Sequence, residues 1–290
     1  MIYSPLRYPG GKAKIAKFVK LNIENLNIEN CTYIEPFAGG GAGVALFLLF
    51  EGIVDRIVIN DLDKAIYSFW RAVLKDTNKL INLIMNTPVT IDEWQKQREI
   101  YLSEKKYSVE LAFATFFLNR TNRSGIIKGG PIGGFSQLGE WKLDARYNKE
   151  ELIGRIIKIS MRKNQIKIYN KDILSFVDKV IPKHQESGFV YLDPPYFNKG
   201  KELYTNFFNE NDHRRIADSI SKNIACNWIV TYDNTPEIIH LYQGHTIKKY
   251  DLNYSLAKKG IASELIIFKT LESCPSESAL RENKVEINLR

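Results

Sequence analysis

Four residues directly after an apolar run carry the sharpest chemical signal in the chain: Asp193, Pro194, Pro195 and Tyr196, inside "YLDPPYF". A carboxylate and a neighbouring backbone carbonyl are both acceptors, so together they can take the two hydrogens of an exocyclic amine such as adenine N6. The lone pair of that amine is delocalised into its ring, and two fixed acceptors favour the tetrahedral geometry that frees it. Each proline lacks an N–H and fixes its own φ, which stops the strand and holds the Pro194 carbonyl in one direction. Tyr196 adds a flat face on which a purine can stack, a contact worth roughly 1–3 kcal/mol per base. The competing reading of this tetrapeptide is a strand-ending turn with a buried tyrosine.

A second constellation lies upstream. "IEPFAGGGAGVALFLL" reads as a strand, a tight glycine turn and an apolar helix, with Gly39 and Gly41 where backbone must approach a ligand closely. Two phosphate-cradle readings fail. The dinucleotide fingerprint needs glycine at position 44, where Val44 stands, and "YPGGKAK" has Leu6 and Ala13 where a P-loop needs glycine and a magnesium-binding hydroxyl. Asp61, 20 residues past Gly41, can accept hydrogen bonds from both hydroxyls of a ribose. The ligand therefore reads as a nucleoside without an obligatory phosphate, against the alternative of a structural glycine turn with Asp61 as a helix cap.

The elements that must position these residues are four apolar runs reading as buried strands: 32–37, 56–61, 189–195 and 227–234, each ending in or running into an acidic or turn residue. This is an α/β pattern, in which ligands bind at the carboxyl ends of the strands. A further strand is expected at 263–269, after a polar hairpin-like segment, "NYSLAKKGIA". About 130 residues separate the second and third strands, far more than a crossover needs, and imply an inserted domain. That stretch reads as helices from Ile66 to Ile100 with a break at Pro88, an amphipathic helix over 109–120, a glycine-rich loop expected to be flexible, and a helix over 152–161.

Of the net charge of +8, almost the whole excess falls between Lys96 and Lys163, with fourteen Lys or Arg against seven Asp or Glu. This favours an anionic partner, against the plainer reading of a solvated helical surface. Three scattered cysteines suggest neither a metal or redox pair nor a disulfide framework, and fit a reducing cytoplasm. The four histidines show no ligand spacing, so no metal is expected. The longest apolar run, 42–50, is far short of the roughly 20 residues a bilayer span requires, so no membrane anchor is expected.

In order along the chain, "PLRYPGGK", "EPFAGGGAG", "INDLD", "LNR", "DPPY" and "SELIIF" resemble the Dam-like (D12 class) adenine-N6 DNA methyltransferases over residues 4–270. The resemblance implies a Rossmann-like methyltransferase sheet, S-adenosylmethionine as cofactor and double-stranded DNA as partner. The implied division is a discontinuous catalytic domain over 1–65 and 165–270, an inserted, mainly helical target-recognition domain over 66–164, and a peripheral tail over 271–290. By the same resemblance Tyr8 and Lys12 contact the cofactor, the turn from Phe37 through Gly39 and Gly41 cradles its methionine part, Asp61 holds its ribose, and Asp193 lies between cofactor and target. Asp172 marks the edge of the adenosine pocket or caps a helix. Lys12 has the plainer reading of an exposed cation.

Arg120, Arg123 and Lys128 are the candidates for DNA contact, with Arg120 alternatively tying a helix end to the loop. Family members that read GATC carry N-R-x-x-x-N-G-x-x-R, whereas "NRTNRSGIIK" has Ser124 and Lys128 at two of those places. Lysine lacks arginine's bidentate fork for guanine, so a different recognised sequence is expected. Cytosine N4 or RNA as methyl acceptor, a non-catalytic nucleic-acid-binding protein with a degenerate cofactor fold, and a restriction endonuclease partner all stay open at this point.

Overall fold

The computed structural model describes residues 3–7, 12–39, 41–104, 106–198, 208–253, 261–287 and 289–290, with backbone alone at 12–14, 251–253 and 261–262. The strands are β1 (Thr32–Glu35), β2 (Arg56–Asn60), β3 (Ile166–Tyr169), β4 (Gly188–Leu192), β5 (Asn227–Asp233), β6 (Thr246–Asn253) and β7 (Ile261–Phe268), in one sheet of order β3-β2-β1-β4-β5-β7-β6. β1 pairs in parallel with both β2 and β4, β4 pairs in parallel with β5, and β7 runs antiparallel between β5 and β6. All residues of β1 and β4 are buried, as expected of central parallel strands covered on both faces. Each large apolar side chain so buried stabilises the fold by about 1.5–3 kcal/mol.

The strand order reverses between β1 and β4, the point at whose carboxyl edge open parallel sheets bind their ligands. "EPFAGGG" leaves β1, "NDLD" leaves β2 and "DPPY" leaves β4. All three chemical motifs therefore emerge from adjacent parallel strands on one edge of the sheet.

The described residues fall into two compact units. One comprises Gly10–Phe37, Gly43–Ile59 and Lys171–Arg290, the other Met1–Pro9, Ala38–Ala42 and Asn60–Asn170. In the first lie helices α1 (Lys12–Asn25) and α2 (Gly43–Phe50). The second holds α3 (Lys64–Lys75), α4 (Thr77–Asn86), α5 (Ile91–Ser103), α6 (Val109–Thr121) and α7 (Lys149–Met161). The helices α8 (Ile173–Lys179), α9 (Glu210–Asn223), α10 (Pro236–Leu241) and α11 (Glu277–Glu282) belong again to the first. The helical stretch expected over 66–100 is thus three helices, with Pro88 in the link between α4 and α5.

Helix α6 is the centre of the second unit. Expected to be amphipathic, it instead buries Leu111 to Asn119 without a break, because α3, α4 and α5 all pack against it. Phe69 of α3 stacks on Phe116 at 5.9 Å and 7°, and the Tyr147 ring meets both Phe116 and Phe117. The last twenty residues also differ from the expected tail. Leu280, Val285, Ile287 and Leu289 are buried, and Lys249 and Arg290 exchange backbone hydrogen bonds of 2.8 Å, so the end of the chain is tied to β6.

Candidate active site

The glycine turn is built by backbone geometry. Gly39 has φ +56°, a region costly for residues with a Cβ, and Ala42 lies there too at φ +40° while fully buried, its N–H bonded to the Ala38 carbonyl. The Ala38 N–H donates to the Asn60 carbonyl at 3.0 Å, which fastens the turn beside the end of β2. There the Asp61 carboxylate accepts from the Asp63 N–H at 2.8 Å and from the Gly39 N–H. Asp63 in turn caps α3 by accepting from Ala65 N–H at 2.8 Å, so the helix-capping alternative belongs to Asp63 and not to Asp61.

Burial pushes the Asp61 carboxyl up to about 7, and the nearby Asp63 charge adds to the rise, while the two backbone donors work against it. Yet the residue as a whole is only half-buried. The donor and acceptor chemistry therefore fits the diol of a nucleoside ribose, which brings two hydroxyl donors to a carboxylate short of hydration.

The second constellation is the corner after β4. Asp193 is half-buried, and the Thr231 hydroxyl donates to its Oδ1 at 2.9 Å; Thr231 Oγ1 lies 3.1 Å from the Tyr191 hydroxyl. The corner beyond the prolines is held by two acids. Asp233, at the end of β5, accepts from Phe197 N–H at 2.8 Å and Asn198 N–H at 2.9 Å. Glu264 of β7, 3% exposed, accepts from the Tyr196 hydroxyl at 2.8 Å and the Tyr250 hydroxyl at 2.5 Å.

Asp233 and Glu264 face each other across the β5–β7 pair, an arrangement that like charges disfavour. The donors around them offset that cost, and three of those donors come from the corner itself. Folding of residues 196–198 onto the sheet and relief of the acidic pair are therefore one event. His213 of α9 packs beneath, 1% exposed, its ring 5.2 Å from Phe197 and its Nδ1 2.9 Å from the Tyr232 hydroxyl; burial lowers its pKa, consistent with a packed neutral ring. Phe37 lies edge-on to Phe208 at 6.2 Å.

Of the candidate DNA contacts, Arg123 and Lys128 are exposed. Arg120 is half-buried and donates from Nε to the Arg146 carbonyl at 2.7 Å, which is the structural reading; burial and the charges of Arg7, Arg155 and Arg146 lower its pKa to about 10. Asp172 is exposed and caps α8 by accepting from Ser175 N–H at 2.9 Å, which accounts for it without a ligand. Tyr8 and the side chain of Lys12 lie outside the described residues.

Three structural partners escaped sequence reasoning: Thr231, Asp233 and Glu264. The signal for the last two was present, since each is an acid at the end of, or inside, an otherwise apolar strand. The "LNR" motif also has a physical role that its sequence did not announce. Buried Asn119 accepts from Arg7 N–H at 2.7 Å and donates to the carbonyls of Arg7 and Gly125 at 2.8 Å each, stitching the N-terminal segment to the helix end. Among the described residues, no group of three His, Cys, Asp or Glu comes together as metal ligands would, and no helix is long and apolar enough to cross a membrane.

The chain is similar to known proteins along most of its length. The chain is 27% identical over 271 residues to the Type II methyltransferase M.MjaIII of Methanocaldococcus jannaschii, covering 84% of this chain and 89% of that protein. It is 25% identical over 284 residues to the Type II methyltransferase M1.LlaDCHI of Lactococcus lactis subsp. cremoris, covering 90% and 93%. A third relative, the Type II methyltransferase M.CviBI of Paramecium bursaria Chlorella virus NC1A, is 25% identical over 258 residues, covering 86% and 90%. A family model matches residues 8–256, a span that holds the glycine turn, Asp61, the inserted helices and the Asp193 corner together, and the chain belongs to the D12 class N6 adenine-specific DNA methyltransferases.

Proposed function

We propose that this S-adenosylmethionine-dependent adenine-N6 methyltransferase acts on one short sequence of double-stranded DNA, and that the target adenine leaves the duplex to be gripped at Asp193–Tyr196. Extrusion is required because N6 is inaccessible to an enzyme while the base is stacked. S-adenosylmethionine, when bound, supplies an electrophilic methyl group on a positively charged sulfur. Asp61 accepts the ribose hydroxyls and the turn from Phe37 to Gly41 lies along the ligand with little side-chain bulk. Tyr8 and Lys12 join this set on family resemblance alone.

The chain's own contribution to the reaction is positioning and charge. Tyr196 stacks on the base, while the Asp193 carboxylate and the Pro194 carbonyl accept the two N6 hydrogens and turn the lone pair outward. When nitrogen gains its methyl group it carries a surplus proton, which passes to the Asp193 carboxylate that already holds it. The supporting observation is the half-buried Asp193, fixed by the Thr231 hydroxyl at 2.9 Å and followed at once by two rigid prolines. Arg123 and Lys128 meet DNA phosphates or base edges. The reading also has the chain work in the cytoplasm, with its cysteines reduced, and leaves room for a restriction endonuclease of matching specificity.

The test is to incubate the purified chain with S-adenosylmethionine and DNA from a methylation-free host, then read the product by single-molecule sequencing. N6-methyladenine confined to one short motif is the expected result. Methylation of cytosine N4, of RNA alone, or of adenines without regard to sequence would each overturn it.

A further inference from the structure

A buried polar line reaches the corner from inside the sheet. β5 buries every residue from Trp228 to Tyr232, so position 231 calls for an apolar β-branched side chain, yet Thr231 stands there, 1% exposed. A buried hydroxyl costs stability unless it is hydrogen-bonded, and valine would fill the same space with no such demand. The register that pairs Leu192 with Val230 sets the next residue, Asp193, beside Thr231. Tyr191 precedes Asp193 by two positions, on the same side of the sheet, and is also 1% exposed. Its hydroxyl lies 3.1 Å from Thr231 Oγ1, which in turn lies 2.9 Å from Asp193 Oδ1. All three residues belong to one compact unit.

The direction of these bonds follows from counting protons. An ionised carboxylate only accepts, so the single Thr231 hydroxyl proton goes to Asp193, and the Tyr191 phenol is then the donor to Thr231. Two hydroxyls in a row, both removed from water, polarise one another and strengthen the bond at the end of the chain. Such a chain answers a need of this site. A base stacked on Tyr196 takes water away from the half-buried Asp193 carboxylate, and desolvation favours the protonated form, which has lost an acceptor. Donors that belong to the sheet stay when the water goes. They hold the carboxylate ionised and keep its plane from turning.

We propose that Thr231 and Tyr191 are positioning residues for methyl transfer, a chain of two hydroxyls that keeps Asp193 ionised and correctly turned while the target amine sits against it. The inference rests on the adenine-methylating reading above and deepens it. Tyr191 acts through Thr231, and both are too deeply buried to touch base or cofactor. Their loss therefore shows in the rate of transfer and not in binding.

The experiment measures single-turnover methylation of duplex DNA carrying the recognised sequence, beside the affinities for that duplex and for S-adenosylmethionine. It compares wild type, Thr231→Val, Thr231→Ser, Tyr191→Phe and the double variant Thr231→Val with Tyr191→Phe. Valine keeps the shape and removes the hydroxyl, whereas serine keeps the hydroxyl. Thr231→Val is expected to slow transfer about ten- to hundredfold, as loss of a hydrogen bond to a charged group does, with both affinities within about twofold of wild type. Thr231→Ser should come within about threefold of the wild-type rate, since its hydroxyl restores the bond. Tyr191→Phe should slow transfer about three- to tenfold by itself and add nothing in the Thr231→Val background, because its link to Asp193 is already cut. Thr231→Val at the wild-type rate would overturn the chain and leave the methylating reading standing. Thr231→Ser as slow as Thr231→Val would do the same, as would single losses that multiply in the double variant, or losses fully explained by weaker binding. A wild type that methylates no DNA would overturn that reading and the chain with it.

Discussion

The corner at Asp193–Tyr196 and the loop around Leu138 are both held in place, by different means. The corner is stiffened by its own two prolines and held from outside as well, where Thr231, Asp233 and Glu264 on neighbouring strands take hold of its polar groups. The loop is fixed from within, by one glutamine amide and by glycines that let backbone strands touch. One arrangement aims acceptors; the other displays apolar surface.

Substitutions at Tyr196 separate support from stacking in the corner. Tyr196→Ala should lower methylation efficiency (kcat/KM) by roughly five- to a hundredfold, the equivalent of about 1–3 kcal/mol of base stacking. Tyr196→Phe keeps the ring but takes a donor from buried Glu264, so thermal or denaturant unfolding should show about 1–3 kcal/mol lost with most activity kept. Equal loss of activity in both variants would place the role of Tyr196 in its hydroxyl.

Cofactor affinity offers the next contrast. Since the free Asp61 carboxyl sits near 7 and hydroxyl donors bind its ionised form, affinity should be full above that pH and fall about tenfold per unit below it. Calorimetric titration with S-adenosylmethionine across pH 5.5 to 8.5, roughly 1.5 units either side of 7, checks the sign. In Asp61→Asn that dependence should vanish, along with much of the affinity.

In the loop, the expected effects are smaller and confined to DNA. Gly133 has φ +81°, and a Cβ there would stand 2.7 Å from the Trp141 carbonyl oxygen. Gly133→Ala should therefore strain the loop by about 1–3 kcal/mol and weaken DNA binding while leaving cofactor affinity alone. Smallest is Lys128→Ala. As a phosphate contact it should cost a few-fold in affinity and reduce the slope of log K against log salt by about 0.9, measured by fluorescence anisotropy.

Much of the sheet's carboxyl edge was legible in the residues themselves. β1, β2, β4 and β5 announced themselves as short apolar runs because central parallel strands are buried on both faces, and Asp61 stands at the end of β2, as its run implied. β3 did not, since "IKIY" is four residues long with Lys167 exposed in its middle. Nor did the supports of the corner, because Asp233, Glu264 and Tyr250 become neighbours only through the antiparallel register of β5, β7 and β6. The glycine-rich loop misled most. Its glycines suggested flexibility, but Gly133 and Gly139 serve close backbone approach, and what distinguishes Leu138 is exposure, which composition does not encode.

The central claim is that Asp193 acts on the target amine itself and not on the fold or on ligand binding. Single-turnover methyl transfer by Asp193→Asn, beside its affinities for S-adenosylmethionine and for the recognised duplex, tests this most directly. The account predicts transfer slowed about 10²–10³-fold, the effect of removing one placed transition-state contact, with both affinities within several-fold of wild type. Transfer at the wild-type rate would contradict it, and so would a loss fully accounted for by weaker binding.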